Sequence, residues 1–300
     1  MTIFITGIES FLGDSLTRQL KLSKIKFTGI DIKKTKSHTK KIDINDKNLS
    51  KAIPNNCKTV VHLCAASNST IYNNDRKKGF KTNINGLLNL INACKKKKVK
   101  QIIFASSEWV YGEDDNRKTE KSKIFYEKVS SEYALSKIIG ENFLRYYSKI
   151  NKFNCIILRF GIIYGPRNSQ KNWSAVESIL QKIYLNEKII NVGSKNTSRR
   201  FIFVDDISSG IISCFGRKGY ETFNLTGNKL ISLNHIVNYG NKILKKETLI
   251  KENKPSSYNS RNVINNLIKK KTKWSPKVDF LSGVKLTIRS IKKFNKKPNF

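Results

Sequence analysis

The sequence predicts an α/β fold: a doubly wound parallel sheet followed by a smaller C-terminal α/β part. Three observations lead to this prediction. Short apolar segments alternate with stretches of helical periodicity over residues 1–165, a glycine turn directly follows the first apolar segment, and the alternation loosens in the remainder. Strands that alternate with helices in this way build a parallel sheet with helices on its faces.

The predicted strands of the first half are short, apolar and evenly distributed. They are "TIFIT" (2–6), "KFTGID" (26–31), "TVVHLC" (59–64), "QIIFAS" (101–106) and "NCIILRF" (154–160). Parallel strands joined by right-handed crossovers have all their carboxyl ends on one edge of the sheet. We therefore expect a ligand to bind at that edge.

Helical stretches separate these strands. The first is "FLGDSLTRQLKL" (11–22) and a longer one is "TNINGLLNLINACKKKK" (82–98). The longer stretch places apolar residues on one helix face, at Ile84, Leu87, Leu88 and Ile91. Its lysine run, Lys95 to Lys98, suits the negative end of the helix dipole and predicts a solvated last turn.

The second half has a weaker pattern. It contains a predicted helix at 175–185, a strand that turns into a helix at 199–215, and a strand at 222–227. The remaining C-terminal residues are basic and polar, and we predict them to be helical around a "WSPKV" turn at 274–278. No internal repeat or long linker is evident, so the smaller part is expected to pack against the larger one.

The chain is strongly basic. Its 58 Lys and Arg residues against 22 Asp and Glu residues give a formal net charge of +36. The lysines are spread through every segment and no cluster of arginines and aromatic residues concentrates the charge, so we favour a solvated surface over a nucleic-acid groove. Such a field would still attract a phosphorylated substrate.

The cysteines are too far apart for a metal site or a disulfide framework. They stand at Cys57, Cys64, Cys94, Cys155 and Cys214, with no CxxC pair. Reduced thiols in a cytoplasmic protein are therefore expected. No leader peptide and no apolar stretch of membrane-spanning length is recognised, which predicts a soluble protein without a membrane partner and without a metal.

A dinucleotide site is predicted at the start of the chain. "TGIESFLG" (6–13) follows the first strand and opens a helix, with Gly7 for the tight turn and Gly13 for close packing of helix and strand. Ser10 replaces the usual middle glycine, and Phe11 and Leu12 complete the turn. The helix N-terminus would face a pyrophosphate.

Asp31 at the end of the second strand predicts the choice of dinucleotide. Its carboxylate can accept both ribose hydroxyls and would repel a 2′-phosphate, which favours NAD over NADP. Lys33 and Lys34 soften that preference. A loop aspartate without a ligand is the alternative interpretation of Asp31.

Tyr133 and Lys137 in "YALSK" are four residues apart and share one face of a helix. Lys137, beside a cationic nicotinamide, would lower the pKa of Tyr133, so that the phenolate can take a proton from an alcohol. Ser107 would hydrogen-bond the same alcohol oxygen and align it for hydride transfer. An amphipathic helix with no chemistry is the alternative for such a common spacing.

These motifs together resemble the extended short-chain dehydrogenase/reductase family, in particular its NAD-dependent sugar-nucleotide epimerases and dehydratases. The resemblance covers nearly the whole chain and rests on "TGIESFLG" (6–13), "GIDI" (29–32), "KIDIND" (41–46), "VVHLCAAS" (60–67), "TNINGLLNLINAC" (82–94), "FASSEWVYG" (104–112), "YALSK" (133–137), "LRFGIIYGPR" (158–167), "RRFIFVDD" (199–206) and "FNLTG" (223–227). It implies a Rossmann-type sheet. Residues 1–165 would bind NAD and would also receive the 199–227 segment, while 166–198 and 228–300 would bind the substrate.

The resemblance also implies site residues. In the family, the positions of Asp43 and Ile44 hold the adenine, and those of Leu63, Ala65 and Ala66 lie along the cofactor. Tyr133 and Lys137 match the catalytic pair, and Ser107 matches its hydroxyl partner. Arg199 matches the arginine that grips the substrate diphosphate, a contact that suits a guanidinium. For a second diphosphate arginine, Arg261 is our best candidate in a C-terminal segment that looks shortened.

Departures from the family pattern leave the substrate open. Ile162 stands where many members carry an asparagine that contacts the sugar nucleotide, and Arg200 replaces the usual aspartate. Deoxyglucose-type 4,6-dehydratases place Asp-Glu directly after the hydroxyl residue, as acid and base. Here these positions are Glu108 and Trp109. The acid position therefore keeps a carboxylate, whereas the base position has an indole that cannot take a proton. Glu108 is therefore a candidate for proton transfer or a polar residue of the pocket wall.

The leading hypothesis is a nucleotide-sugar epimerase, acting at C4 by transient oxidation to a 4-keto sugar with Tyr133 as the base. A 4,6-dehydratase and a reductase that consumes external NAD(P)H are the alternative enzymes. A catalytically idle nucleic-acid-binding or scaffold protein is the alternative outside enzymes, although the intact set of Ser107, Tyr133 and Lys137 disfavours it. Family members often form homodimers through helices beside the tyrosine, so a homodimer is expected.

Overall fold

The computed structural model describes residues 2–67, 69–112, 116–124, 126–167, 174–256 and 259–295. Its strands, in chain order, are β1 (Thr2–Thr6), β2 (Lys26–Asp31), β3 (Thr39–Lys41), β4 (Cys57–His62), β5 (Gln101–Ser107), β6 (Asn154–Phe160), β7 (Ile163–Tyr164), β8 (Ile189–Val192), β9 (Ser198–Arg199), β10 (Ile202–Phe203), β11 (Tyr220–Leu225), β12 (Ile231–Ser232), β13 (Leu249–Glu252) and β14 (Ser260–Arg261). Strands and helices alternate along most of the described chain, as predicted.

The α-helices are α1 (Phe11–Leu22), α2 (Leu49–Ala52), α3 (Ser69–Asn74), α4 (Arg76–Phe80), α5 (Gly86–Lys96), α6 (Glu132–Asn151), α7 (Ala175–Tyr184), α8 (Val204–Ile212), α9 (Leu233–Leu244), α10 (Asn266–Thr272) and α11 (Phe280–Asn295). Short 3₁₀ turns cover Glu108–Tyr111 and Tyr126–Lys128, and one π-helical turn covers Lys81–Asn85. Within the described ranges, no helix combines the length and apolar character needed to span a membrane.

Seven parallel strands form the main sheet in the order β11-β6-β5-β4-β1-β2-β3. The chain therefore winds outward in both directions from the β1–β4 pair, and the predicted doubly wound parallel sheet is confirmed. The gap between the carboxyl ends of β1 and β4 is the topological switch point, where such sheets bind ligands.

Both faces of this sheet are buried. Ile3 and Ile5 of β1 belong to one hydrophobic cluster, and Phe4 between them belongs to the cluster on the opposite face. Alternating residues of a strand point to opposite faces, so a strand covered by helices on both sides must be apolar throughout. This is why β1 and β6 have the bounds that their apolar segments predict.

Three smaller sheets complete the C-terminal part. β8 pairs with β13, β7 pairs with β10, and β9 lies between β12 and β14. The prediction of a helical C-terminal segment is thus wrong for β12, β13 and β14. These strands have only two to four residues, and their partners are distant in sequence, as in the pairing of Ile231 with Arg199. No local periodicity can reveal such strands. The predicted division into a cofactor part and a substrate part stays a prediction.

Several other boundaries differ from the prediction by one or two residues, β11 for example spanning Tyr220–Leu225, and two differences lie next to the predicted site. β4 ends at His62, two residues before its predicted end, because the chain then passes over the glycine turn, where a Cβ on Gly7 would lie 2.8 Å from the backbone nitrogen of Cys64. The helix predicted at 82–98 begins as the π turn and becomes α-helical only at Gly86. Single π turns inside helices are frequent at functional sites.

A buried polar network joins α6 to β5 and β6. Arg159 binds Glu141 through two hydrogen bonds, Nε to Oε1 at 2.9 Å and Nη2 to Oε2 at 2.6 Å. Ser106 donates to the same carboxylate at 2.5 Å, and Tyr111 accepts from Arg159 Nη1 at 2.9 Å. The side chains of Arg159 and Glu141 are only 5% and 7% exposed. The network therefore fixes the helix that carries Tyr133 against the strand that ends in Ser107.

We predict that Arg159→Leu lowers the free energy of unfolding by about 3–5 kcal/mol, because it leaves the Glu141 carboxylate buried without its partner. Arg217→Leu is the matched control: Arg217 binds Glu221 through the same two-bond geometry, but with side chains 22% and 24% exposed. We expect this control to lose about 1 kcal/mol or less. Urea denaturation followed by tryptophan fluorescence measures both, and equal losses would contradict the role of the buried network.

Candidate active site

Tyr133 and Ser107 meet at the carboxyl edge of the sheet. Tyr133 lies in the first turn of α6, which Ser131 caps by accepting from the Ala134 backbone nitrogen at 3.2 Å. Ser107 is the last residue of β5, and its side chain hydrogen-bonds the Tyr133 hydroxyl. The tyrosine also lines the cleft that contains the glycine turn. The structure therefore brings the two predicted residues together, on the side where a ligand can reach them.

Lys137 lies one helical turn after Tyr133. Its ammonium donates to the Ala105 carbonyl at 2.7 Å and stands 5.6 Å from the centre of the Tyr133 ring. Burial lowers the pKa of Lys137 to about 8, although Cys64 and Glu141 act in the opposite direction. The ammonium is thus held at the strand end, close to the ring whose hydroxyl it is predicted to influence.

Burial raises the pKa of Tyr133 to about 12 in the chain alone, and the hydrogen bond from Ser107 only partly opposes it. The sequence argument predicts a lowered pKa when a cationic nicotinamide lies beside Lys137. The chain by itself shows the opposite direction because desolvation disfavours the charged phenolate. A lowered pKa in the presence of the cofactor stays a prediction.

The glycine turn has the geometry that close packing demands. Gly7 has φ +73°, in the left-handed region that favours glycine, and a Cβ on Gly13 would lie 2.4 Å from the carbonyl oxygen of Ile8. Ser10, by contrast, has φ −69° and caps α1 by accepting from the Gly13 nitrogen at 3.1 Å. The middle position therefore needs no glycine in this chain, and the Ser10 hydroxyl keeps its own proton for donation to a ligand.

Asp31 is fixed beside this turn. One carboxylate oxygen accepts from the backbone nitrogen of Glu9 at 3.1 Å and the other from that of Lys33 at 3.2 Å. β4 and β1 separate β2 from β5, so Asp31 lies about 14 Å from the Ser107 edge at the usual strand spacing. That span suits a dinucleotide laid across the switch point.

A cleft of about 820 Å³ extends from the glycine turn to Tyr133 and Lys137. Seven of the predicted site residues line it: Ser10, Phe11, Leu12, Leu63, Ala65, Tyr133 and Lys137. Arg167 lines it as well, with its guanidinium carbon 3.8 Å from the centre of the Phe11 ring. The amino end of α1 faces a concave wall with positive charge nearby, which fits a pyrophosphate. The residues present therefore fit NAD.

Two residues predicted at the adenine lie apart from the lining of this cleft. Asp43 is exposed and accepts from the Asn45 backbone nitrogen at 2.7 Å. Ile44 is buried in the core and packs on α5, where its Cγ2 would lie 2.6 Å from a Cβ on Gly86. A ligand contact from Ile44 would therefore involve its backbone. Ala66 is also buried.

The two predicted diphosphate arginines lie side by side. Arg199 in β9 is the direct partner of Arg261 in β14. Arg199 donates to the Asn259 carbonyl at 2.6 Å, and the buried Arg261 places its guanidinium 3.9 Å from the centre of the Trp109 ring. The backbone pairing thus makes one basic pair from residues that are 62 positions apart in the sequence.

Glu108 directly follows Ser107 in the chain and feels the charges of both arginines. It is fully buried, and its two carboxylate oxygens find no hydrogen-bond partner among the described residues. Burial raises its pKa to about 7, while the positive charges of Arg261 and Arg199 lower it. This carboxyl group can therefore gain and lose a proton near neutral pH.

The residues that depart from the family pattern have structural partners. Ile162 is partly buried against the core, as an apolar side chain should be. Arg200 donates from Nε to Asn262 at 2.7 Å and from Nη1 to the Asn228 carbonyl at 2.5 Å. Burial and the nearby Arg117 lower the pKa of Arg200. Arg200 thus ties three loops together instead of pairing with an acid.

Asn83 is a residue of the site that the sequence argument missed. Its amide accepts from the Ala66 nitrogen at 2.8 Å and donates to Tyr72 at 2.7 Å and to Ser136 at 2.9 Å. It thereby ties the loop after β4 to the catalytic helix α6. The sequence did contain a signal for this residue, because a polar asparagine stands on the apolar face of the predicted helix and would have to find buried hydrogen-bond partners. Groups of three or more His, Cys, Asp or Glu able to hold a metal ion are not found among the described residues.

We predict that Glu108→Gln stabilises the protein at alkaline pH. The folded pKa of Glu108 is raised, so its stabilising contribution is complete below the unfolded pKa near 4.5 and is lost as the pH rises through about 7. Glutamine has no such dependence, so the variant should gain about 3 kcal/mol over the wild type between about pH 5 and pH 8.

Urea denaturation at both pH values measures this gain. Glu247→Gln, which removes an exposed carboxylate, is the control and should show little change between them. A wild type and a Glu108→Gln variant with the same pH dependence would contradict the buried, ionisable carboxyl group.

Comparison with known proteins identifies the family. The model of the NAD dependent epimerase/dehydratase family matches residues 3–225. A protein from Methanocaldococcus jannaschii described as a putative UDP-glucose 4-epimerase is 25% identical over 98% of this chain and 99% of its own length. The match thus extends beyond the sheet into the C-terminal part.

Solved structures agree in fold. A UDP-glucose 4-epimerase from Thermotoga maritima, solved with UDP-glucose, superposes with a TM-score of 0.88 at 23% identity and covers 99% of this chain and all of that one. A UDP-glucuronic acid 4-epimerase from Bacillus cereus, solved with UDP-glucuronic acid and NAD, gives 0.85 at 23% identity, with 98% and 99% covered. The predicted NAD-dependent enzyme is therefore confirmed at the level of the family: the chain belongs to the NAD-dependent epimerase/dehydratase family.

Proposed function

We propose that this protein is a nucleotide-sugar epimerase that inverts carbon 4 of the sugar. The observation that carries the proposal is the grouping of the Tyr133 hydroxyl, the Ser107 side chain and the Lys137 ammonium at one end of the NAD-sized cleft. A sugar alcohol that reaches this point can give its proton to Tyr133, while the Ser107 hydroxyl holds the alcohol oxygen in the orientation needed for hydride transfer.

NAD, when bound, accepts a hydride from the sugar and returns it, and in its oxidised form it adds a positive charge. Tyr133 as phenolate takes the proton of the 4-hydroxyl, and Ser107 hydrogen-bonds the same oxygen. The 4-keto sugar then turns over, and Tyr133 gives the proton back to the oxygen once carbon 4 has received hydride on its other face. Lys137 stabilises the phenolate by its charge, since an ammonium near an acid favours the anion.

The arginine pair supports a nucleotide diphosphate as the handle on the sugar. Arg199 and Arg261 lie next to each other on paired strands, and guanidinium groups bind phosphate oxygens in a two-bond geometry. Glu108 follows Ser107 directly in the chain and is near enough to both arginines for their charges to lower its pKa. We retain it as a candidate for proton transfer, because its pKa near 7 permits either protonation state.

A dehydratase is the closest alternative, and Trp109 disfavours it. An indole cannot remove the carbon 5 proton, and Glu108 alone supplies only the acid for loss of the 6-hydroxyl. A reductase would use the same tyrosine but would consume external NAD(P)H. A nucleic-acid-binding role would leave the contact between Tyr133 and Ser107 without a purpose.

We also propose a homodimer formed through α6. Three large apolar side chains on this helix are exposed: Leu135 at 37%, Tyr146 at 60% and Ile150 at 54%. Positions 135, 146 and 150 fall within one stripe of the helix surface. A second copy of the chain would bury this stripe against its own α6.

We expect the purified protein, loaded with NAD, to interconvert the members of at least one 4-epimeric pair in a panel of nucleotide sugars. Tyr133→Phe should lower the rate by about 10²–10⁴-fold, the usual contribution of a general base. Tyr184→Phe removes a hydroxyl at the end of α7, outside the lining of the cleft, and should leave the rate unchanged. NMR of the sugar products measures all three proteins.

Two results would overturn the proposal. One is an NAD-loaded wild type that converts no member of the panel. The other is a Tyr133→Phe variant as active as the wild type. Accumulation of a 4-keto-6-deoxy sugar would instead show the dehydratase.

A further inference from the structure

The glycine turn carries an acid that has no part in the proposed reaction. Glu9 precedes Ser10, the cap of α1, and lines the cleft. Its backbone nitrogen donates to Asp31 Oδ2 at 3.1 Å. Glu9 is therefore a direct neighbour of the aspartate that is predicted to accept the adenosine ribose hydroxyls.

The carboxylate of Glu9 is held in place by threonines of the segment that follows β2. Thr39 donates its hydroxyl to Oε1 at 2.5 Å, and the Thr35 backbone nitrogen donates to the same oxygen at 3.3 Å. The Thr35 hydroxyl donates to Oε2. A side chain with these three contacts is preorganised in the cleft wall.

The group is ionised at neutral pH. Burial raises the pKa of Glu9, but the hydrogen bonds from Thr35 and Thr39 and the positive charge of Lys36 outweigh it, so that the pKa lies below its ordinary value. Asp31 supplies a second carboxylate beside it. Two fixed negative charges therefore border the ribose end of the cleft.

Cations at this end of the cleft are partly neutralised by other acids. Lys36 forms an ion pair with Asp14, and Arg18 forms one with Asp205 at 2.9 Å. All three of Lys36, Asp14 and Arg18 line the cleft. Lys33 also lines the cleft. Its positive charge would weaken the repulsion between Asp31 and a 2′-phosphate. Glu9 adds a second carboxylate next to Asp31 at this point.

We propose that Glu9 is a cofactor-selecting residue that acts together with Asp31: the two carboxylates admit the 2′-hydroxyl of NAD and reject the 2′-phosphate of NADP. A hydroxyl can donate to a carboxylate, whereas a phosphate ester brings about two negative charges and no donor. The proposal rests on the proposed function only in that the cleft binds a nicotinamide dinucleotide. It does not depend on the sugar or on the reaction.

The test is a competition between the two dinucleotides. The full-length protein is incubated with equimolar NAD and NADP, freed of unbound nucleotide, and the retained dinucleotides are quantified by mass spectrometry. The wild type should retain NAD almost exclusively. Glu9→Gln keeps the length of the side chain and an oxygen for the threonines but removes the charge, and should raise the share of NADP about tenfold, as expected for one charge at several ångströms.

Three comparisons make the result decisive. Asp31→Asn should also raise the NADP share, and the double variant should exceed either single one. Glu187→Gln removes an exposed acid three residues after the end of α7; it is the matched control and should behave as the wild type. A Glu9→Gln variant with the wild-type ratio, beside an Asp31→Asn variant with a shifted one, would overturn the proposal. Failure of the epimerase assay with normal NAD retention would overturn the proposed reaction alone.

Discussion

The buried ion pair between Arg159 and Glu141 is the constraint on which the rest of the site depends. It fastens α6 to the centre of the parallel sheet, and Ser106 joins it from the strand that carries Ser107. Because the helix cannot slide along the strand without breaking this pair, the Tyr133 hydroxyl stays at the Ser107 side chain. A buried pair of this kind adds little net stability, but removing one partner lowers the free energy of unfolding strongly, because the other charge stays buried. The pair therefore fixes the position of α6 along the sheet.

The charge distribution along the proposed ligand path follows from the same topology. Glu9 and Asp31 lie side by side at the glycine turn, and Arg199 and Arg261 form a basic pair on paired strands, where we propose that the substrate diphosphate binds. Glu108, next to Ser107 in the chain, is buried and has a pKa of about 7. The large net charge of +36 is spread along the whole sequence, whereas the selectivity that we propose would arise from a few charges held in fixed positions.

The sequence was sufficient where local patterns decide the structure. β1 and β6 have the predicted bounds because of their apolar runs, and α1 has them because Ser10 caps its first turn. Tyr133, Lys137 and Ser107 could be placed because one helix turn and one strand end bring them to the same edge. The pairing of Arg261 with Arg199 depends on two-residue strands, and the contacts of Asn83 and Glu9 depend on tertiary packing. No spacing rule reveals such contacts.

The most direct test of the central claim is epimerisation in D₂O. If Tyr133 exchanges only the hydroxyl proton while the hydride returns to its own carbon, NMR should show the epimeric product with protium fully retained at carbon 4. Deuterium at carbon 4 of the product would contradict the account, because the hydrogen would then have passed through solvent.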